Sequence, residues 1–153
     1  MIDTHDYQVE VTGTGTKTGR LTAVDDGLPE LDVASPPEFG GPSRIWSPEH
    51  LFVASVASCL MTTFMAMAER SGVEVVSYLD ESVGRLARDE DGLYWIERIT
   101  LRPRIVIAPE SRVDRAERLI EKAEKVCLIG RSIGTETVLE PRVDLAEARQ
   151  AAG

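Results

Sequence analysis

Apolar residues fall along this chain in three rhythms, and each predicts a different kind of element. Between residues 7 and 11 they alternate with polar ones, and a Gly/Thr-rich segment at 12–19 leads into Arg20-Leu21-Thr22-Ala23-Val24. Together these predict an N-terminal hairpin. Leu31-Asp32-Val33 predicts a third short strand, and Pro36-Pro37 with Gly40-Gly41-Pro42 a breaker-rich loop. The next rhythm is continuous: residues 51–68 (LFVASVASCLMTTFMAMA) carry no charge. Ser47-Pro48-Glu49 before them combines a capping serine, a first-turn proline and an acid that suits the helix dipole. A helix is therefore expected from there to Arg70-Ser71, stopped by Gly72.

Residues 73–88 and 93–107 are strand-rich and flank Asp89-Glu90-Asp91-Gly92, which predicts a long hairpin. Ile99, Leu101, Ile105 and Ile107 share one parity and predict a buried face. Pro103 among them predicts an edge position or a bulge. The third rhythm follows Ser111: Val113, Ala116, Ile120, Ala123 and Cys127 recur at helical spacing, with charged residues opposite. A last strand is expected at 135–143 and a frayed tail at 144–153. Strands, helix, long hairpin, helix and strand in that order predict an α+β domain, with antiparallel sheets packed on two main helices.

Composition narrows the function. Seventeen basic against twenty-six acidic residues leave a net charge of −9, a field that repels nucleic acid and anionic membrane surfaces. The acidic, polar start of the chain is unlike a secretory signal, and a cytoplasmic protein is expected. Residues 51–68 have the length of a marginal membrane span. Their hydroxylic residues and close charged flanks favour a buried helix instead, and one so apolar all round needs a second subunit to cover it.

The candidate chemistry lies in two cysteines. Cys59 stands in the middle of the apolar helix, on a stripe with Ser55, Val56, Thr62, Thr63 and Ala66, while Leu60, Phe64 and Met67 lie on another side. Small residues leave room for a neighbouring element or a substrate at the sulfur. Cys127 belongs to the apolar stripe of the second helix. A working thiol pair and two inert core cysteines both fit this pattern. A nucleophilic thiol in apolar surroundings needs a nearby cation to stabilise its thiolate, and Lys17, Arg20 and Arg44 are the candidates. Glu49 lies about 15 Å along a straight helix from Cys59 at 1.5 Å per residue, so it reaches a cysteine only from a partner chain or through a bend. With His5 and His50 the only histidines and no paired-ligand spacing, no metal or organic cofactor is expected.

Three stretches resemble the OsmC/Ohr family of thiol-dependent peroxidases. They are Gly15-Thr16-Lys17-Thr18-Gly19-Arg20, then Ser47-Pro48-Glu49-His50-Leu51-Phe52 with Ala57-Ser58-Cys59, and finally Lys125-Val126-Cys127-Leu128-Ile129. The resemblance implies one OsmC-like domain over residues 1–143 and an intertwined homodimer with active sites at the subunit interface. It implies a peroxidatic Cys59, a resolving Cys127, and Glu49 orienting a cation, Arg20 or Lys17, at the thiolate. Phe52, Leu60, Met61 and Phe64 would form an apolar pocket for organic hydroperoxides, and a lipoyl-type dithiol would be the reductant. Two departures stand out: Lys17 occupies the place of the hydroperoxide-resistance branch's first arginine, and Leu128 that of a proline common after the second cysteine. They point to the wider OsmC-like group, and to an alternative in which the dimer lacks fast turnover and binds an apolar ligand or senses oxidation.

Overall fold

A computed structural model of the chain describes residues 4–13, 15–24 and 27–147. It divides into two compact units, Met1–Leu51 and Phe52–Gly153, where one domain over 1–143 is expected. In the first unit β1 (Val9–Gly13), β2 (Thr18–Ala23) and β3 (Leu31–Ala34) form an antiparallel sheet in that order, and Val33 of β3 also bridges Trp46. The expected hairpin is present, with Val9 facing Ala23 and Gly13 facing Gly19. Its first strand starts two residues later than the alternation suggests, and Thr14 in its loop lies outside the described residues. The breaker-rich loop holds a single 3₁₀ turn at Pro37–Phe39.

The long helix α1 (Pro48–Arg70) has the expected bounds. Ser47 Oγ accepts the His50 amide at its start, satisfying one of the donors a helix leaves free there. At its end Gly72 turns with φ +64°, a conformation a side chain disfavours. By length and composition α1 is apolar enough to cross a membrane. Its stripe of Val56, Leu60, Phe64, Met67 and Ala68 is nevertheless buried, while Ser58, Thr62 and Ala66 remain exposed.

In the second unit the expected long hairpin forms, split across two sheets. Its inner half pairs β5 (Val83–Arg88) with β6 (Tyr94–Leu101), and its outer half pairs β4 (Val75–Asp80) with β7 (Pro103–Ile107). Asp80 faces Pro103 and Val83 faces Thr100, so the pairing resumes in step after the break. Asp80 Oδ1 closes the gap by accepting both the Arg102 amide (2.9 Å) and the Ser82 hydroxyl (2.8 Å). Pro103 accordingly sits neither on an edge nor in a bulge. It is the first residue of β7, the middle strand between β4 and β9, where strand order tolerates a missing N–H. α1 approaches this hairpin so closely that a Cβ at Gly84 would come within 2.4 Å of Val53.

The second amphipathic segment forms α2 (Val113–Val126), with Ala116, Ile120 and Ala123 fully buried. It starts beyond Ser111, whose hydroxyl instead accepts the Glu74 amide. Cys127 is not helical as expected: its ψ of 118° ends α2, and a five-residue helix, α3 (Leu128–Ser132), begins after it. The expected last strand is two, β8 (Glu136–Leu139) and β9 (Arg142–Leu145), broken at Glu140-Pro141. β9 extends two residues into the stretch expected as tail, and residues 148–153 lie outside those described. Because helices carry the chain back from β7, β8 and β9 join β6 and β7 in parallel, so both sheets are mixed. Ile99, Leu101, Ile105 and Ile107 are buried as their parity predicts, and they meet α1 and α2 in one core.

Candidate active site

The joint between α2 and α3 is where the two cysteines meet. α1 presents Cys59 on its partly exposed side, four residues before Thr63. α2 ends one residue short of Cys127, whose extended backbone re-aims the chain so that the first turn of α3 faces Cys59. The opening N–H groups of any helix have no carbonyl partner within it. Here the Ile129 amide donates to Cys59 Sγ at 3.4 Å. The carbonyl of Cys127 accepts the Arg131 amide at 3.0 Å, which locks the new turn in place.

The two thiols occupy opposite electrostatic situations. Burial pushes the Cys59 thiol up, yet four donors together outweigh it and bring its pKa below the ordinary value. These are the Ile129 amide, the Cys127 thiol, the Thr63 hydroxyl and the Leu128 amide. Burial also pushes up Cys127, which is 2% exposed, and here it prevails. Hydrogen bonding to Cys59 adds to the effect, and the Cys127 thiol is raised to about 11. Of the two, Cys59 is the more readily ionised, and Cys127 keeps its proton to higher pH. Both are free thiols in this structure.

Behind Cys127 lies a cavity of about 10 Å³. Val56, Leu60 and Leu101 form its apolar wall, and Glu124 and Thr137 line it beside the thiol. The Thr137 hydroxyl donates to Glu124 Oε1 at 2.9 Å.

Of the four expected pocket residues, Leu60 and Phe64 are fully buried in the core and line no open surface. They lie on the α1 stripe that packs against the strands, as their four-residue spacing dictates. Phe52 and Met61 are only partly buried.

In the first unit, Arg20 pairs with Asp32 through Nε and with Glu30 through Nη1, both at 3.0 Å. The Asp32 hydrogen bond raises its pKa further still. Lys17 Nζ donates to the Phe39 carbonyl. Glu49, in the first turn of α1, has a buried Oε2 with no hydrogen-bond partner among the described residues. Ser47 Oγ bonds His50 Nδ1 at 2.7 Å. Among the described residues no three His, Cys, Asp or Glu side chains gather where a metal ion would fit.

Sequence reasoning selected both cysteines and placed Thr63 on the stripe of Cys59. It sought a cation for the thiolate and missed the amides of Leu128 and Ile129, because backbone donors leave no mark in residue type. The one available signal was the turn-compatible Leu128-Ile129-Gly130 following an apolar helical stripe.

Comparison with known proteins bears on the family and the fold. The family model described as OsmC-like protein matches residues 40–142. The uncharacterised protein YmaD of Bacillus subtilis is 29% identical over 146 residues, covering 92% of this chain and 96% of its own. An OsmC-like protein of unknown function from Vibrio cholerae, VCA0330, superposes with a TM-score of 0.83 at 24% identity, over 90% of this chain and 99% of its own. The organic hydroperoxide resistance protein OhrB of Bacillus subtilis superposes with a TM-score of 0.63 at 21% identity, over 92% and 98%.

Proposed function

Because this chain belongs to the OsmC-like protein family, we propose that it is a thiol-dependent peroxidase that reduces organic hydroperoxides to alcohols in the cytoplasm. The observation that carries the reading is the hydrogen-bonded pair of unlike thiols, Cys59 lowered and Cys127 raised. The Cys59 thiolate attacks the distal peroxide oxygen, the O–O bond breaks, and the alkoxide takes a proton and leaves as the alcohol. Cys59 is then a sulfenic acid. Cys127 displaces its hydroxyl as water and closes the disulfide, which an external dithiol, in our reading of lipoyl type, reopens by exchange. The chemistry requires no metal or organic cofactor.

Phe52 and Met61, partly exposed on α1, would favour alkyl over hydrogen peroxide. The exposed small and hydroxylic face of α1, with Ser58, Thr62 and Ala66, supports a homodimer in which a second copy covers it. Glu49 carries a buried oxygen with no hydrogen-bond partner among the described residues, as suits a carboxylate that orients a cation at the thiolate. Arg20 or Lys17 is that cation in this reading. Arg20 must then exchange its Glu30 and Asp32 partners, and this favours one alternative. In it the dimer oxidises stoichiometrically, as a sensor or an apolar-ligand binder, without fast turnover.

The test is consumption of cumene hydroperoxide with dihydrolipoamide as reductant. Multiple turnovers are expected, and Cys59→Ser should lower the rate by a factor on the order of 10³ or more. A Cys59→Ser protein as active as the wild type would overturn the mechanism. One oxidation per chain and no more would select the alternative.

A further inference from the structure

Closing the disulfide poses a problem that the cysteine pair cannot solve alone. Cys127 must give up its proton to attack, yet it is buried in apolar surroundings. Burial, which does not depend on the state of Cys59, holds the Cys127 thiol above its ordinary value, so little of it is ionised at neutral pH. Once Cys59 has become a sulfenic acid, it is no longer a thiolate that accepts this proton. A second base is needed on the other side of Cys127.

The cavity behind Cys127 contains one. Glu124, in the last turn of α2, lies three residues before Cys127, and both line the same cavity of about 10 Å³. That volume is at the lower limit for a single water molecule. Thr137, on β8, reaches across to donate its hydroxyl to Glu124 Oε1 at 2.9 Å, which orients the carboxylate at the cavity wall. The remaining lining is Val56, Leu60, Leu101 and Gly130, so among the described residues no other polar side chain there competes for the proton. A carboxylate that only decorated the surface of α2 would be exposed, as Glu121 is, whereas Glu124 is partly buried.

We propose that Glu124 is the proton acceptor for Cys127, across the cavity they share, when Cys127 closes the disulfide on oxidised Cys59. This rests on the peroxidase reading above and assigns its second step. The Cys127 S–H bond breaks and its proton passes to the Glu124 carboxylate. The sulfur donates its electron pair to the Cys59 sulfur, the S–O bond of the sulfenic acid breaks, and the departing hydroxide regains a proton to leave as water. Glu124 returns to the carboxylate. The oxidant is the organic hydroperoxide already reduced to its alcohol, and no further co-reactant enters. Thr137 is a positioning residue that acts through Glu124.

The experiment follows reduced full-length protein mixed with one equivalent of cumene hydroperoxide. Dimedone traps the sulfenic acid, and mass spectrometry separates it from the disulfide. In Glu124→Gln the ratio of the disulfide rate to the Cys59 oxidation rate should fall at least about tenfold, within the usual contribution of a general base. Glutamine still accepts the Thr137 hydrogen bond, so a merely structural role would leave this ratio unchanged. The pH profile gives a second readout. Facing the cavity and the thiol are Glu124 from α2, Cys59 from α1, the Thr137 hydroxyl from β8, Leu101 from β6 and the backbone amides of α3. In Glu124→Gln the disulfide step should climb about tenfold per pH unit from neutral upward, as a thiol without a base does. In the wild type it should be much flatter.

Thr137→Val, which keeps the carboxylate but frees it, should slow the same step about threefold. Should Glu124→Gln fail to fold, this variant carries the test. Disulfide closure in the variants at the wild-type rate and with its pH profile would overturn the role of Glu124 alone. No oxidation of Cys59 in the wild type would overturn the peroxidase reading and this step with it.

Discussion

The middle of α1 and the joint between α2 and α3 each offer one cysteine to the same cluster, and they treat the sulfur in opposite ways. At the joint the chain wraps Cys127 in apolar side chains, and desolvation of the charge decides its state. On α1 the same penalty acts on Cys59, but amides, a hydroxyl and the partner thiol supply enough hydrogen bonds to reverse it. All these donors are neutral. Within the second unit, the groups that lower Cys59 among the described residues are thus dipoles. In the proposed mechanism the difference also sets the order of chemistry, with the lower thiol attacking first and the higher one second.

Removing one side of the comparison gives the largest effect. Cys127→Ala takes away both a donor to Cys59 and the group that closes the disulfide. Steady-state turnover should collapse by a factor on the order of 10² or more, with a dimedone-reactive sulfenic acid accumulating at Cys59. An undiminished rate would mean that the external dithiol attacks the sulfenic acid directly.

Alkylation reads the contrast itself. The lowered Cys59 becomes half ionised at a lower pH than an ordinary thiol, so its reaction with iodoacetamide should outpace that of an ordinary thiol at the same pH. The raised Cys127 should lag until strongly alkaline pH, near its value of about 11. At neutral pH the two rates should differ at least about tenfold, a gap set by thiolate fraction and narrowing as pH rises. Alkylating Cys59 also removes its charge, which relieves one of the influences raising Cys127; burial remains. Equal rates measured by peptide mapping would erase the distinction between the sites.

Thr63→Val gives the smallest effect. It deletes one of several donors to the Cys59 thiolate and keeps the shape of the side chain. Cys59 alkylation at neutral pH should slow by about threefold, in keeping with the loss of one hydrogen bond to a charged group shared among several. No change would assign the lowered thiol to the α3 amides alone.

Much of this site was legible before any coordinates. The capping of α1 by Ser47, its stop at Gly72 and the buried parity of Ile99, Leu101, Ile105 and Ile107 follow from short-range rules, and all three are present. The hydroxylic stripe around Cys59 likewise pointed to an accessible sulfur. Three features were not legible. Pro103 suggested an edge because a missing N–H is harmless there, but a break filled by Asp80 serves equally well. Cys127 continued the helical spacing of α2, yet the helix ends just before it, and periodicity does not register a single non-helical residue. Leu60 and Phe64 were expected in a pocket and lie in the core, because hydrophobicity alone does not distinguish a substrate wall from a packed interior.

Local pattern alone determined which segments are helix and strand, which faces are apolar, and that the chain has two thiols to offer. Those properties depend on neighbours a few residues apart, whose spacing any reader of the chain can count. Only the folded arrangement decided that Ile129, seventy residues from Cys59, donates its amide to that sulfur, and that Glu124 and Thr137 close a cavity behind Cys127. Such contacts join backbone groups and side chains distant in sequence. Their strength depends on burial and direction, and neither exists until the strands and helices have packed.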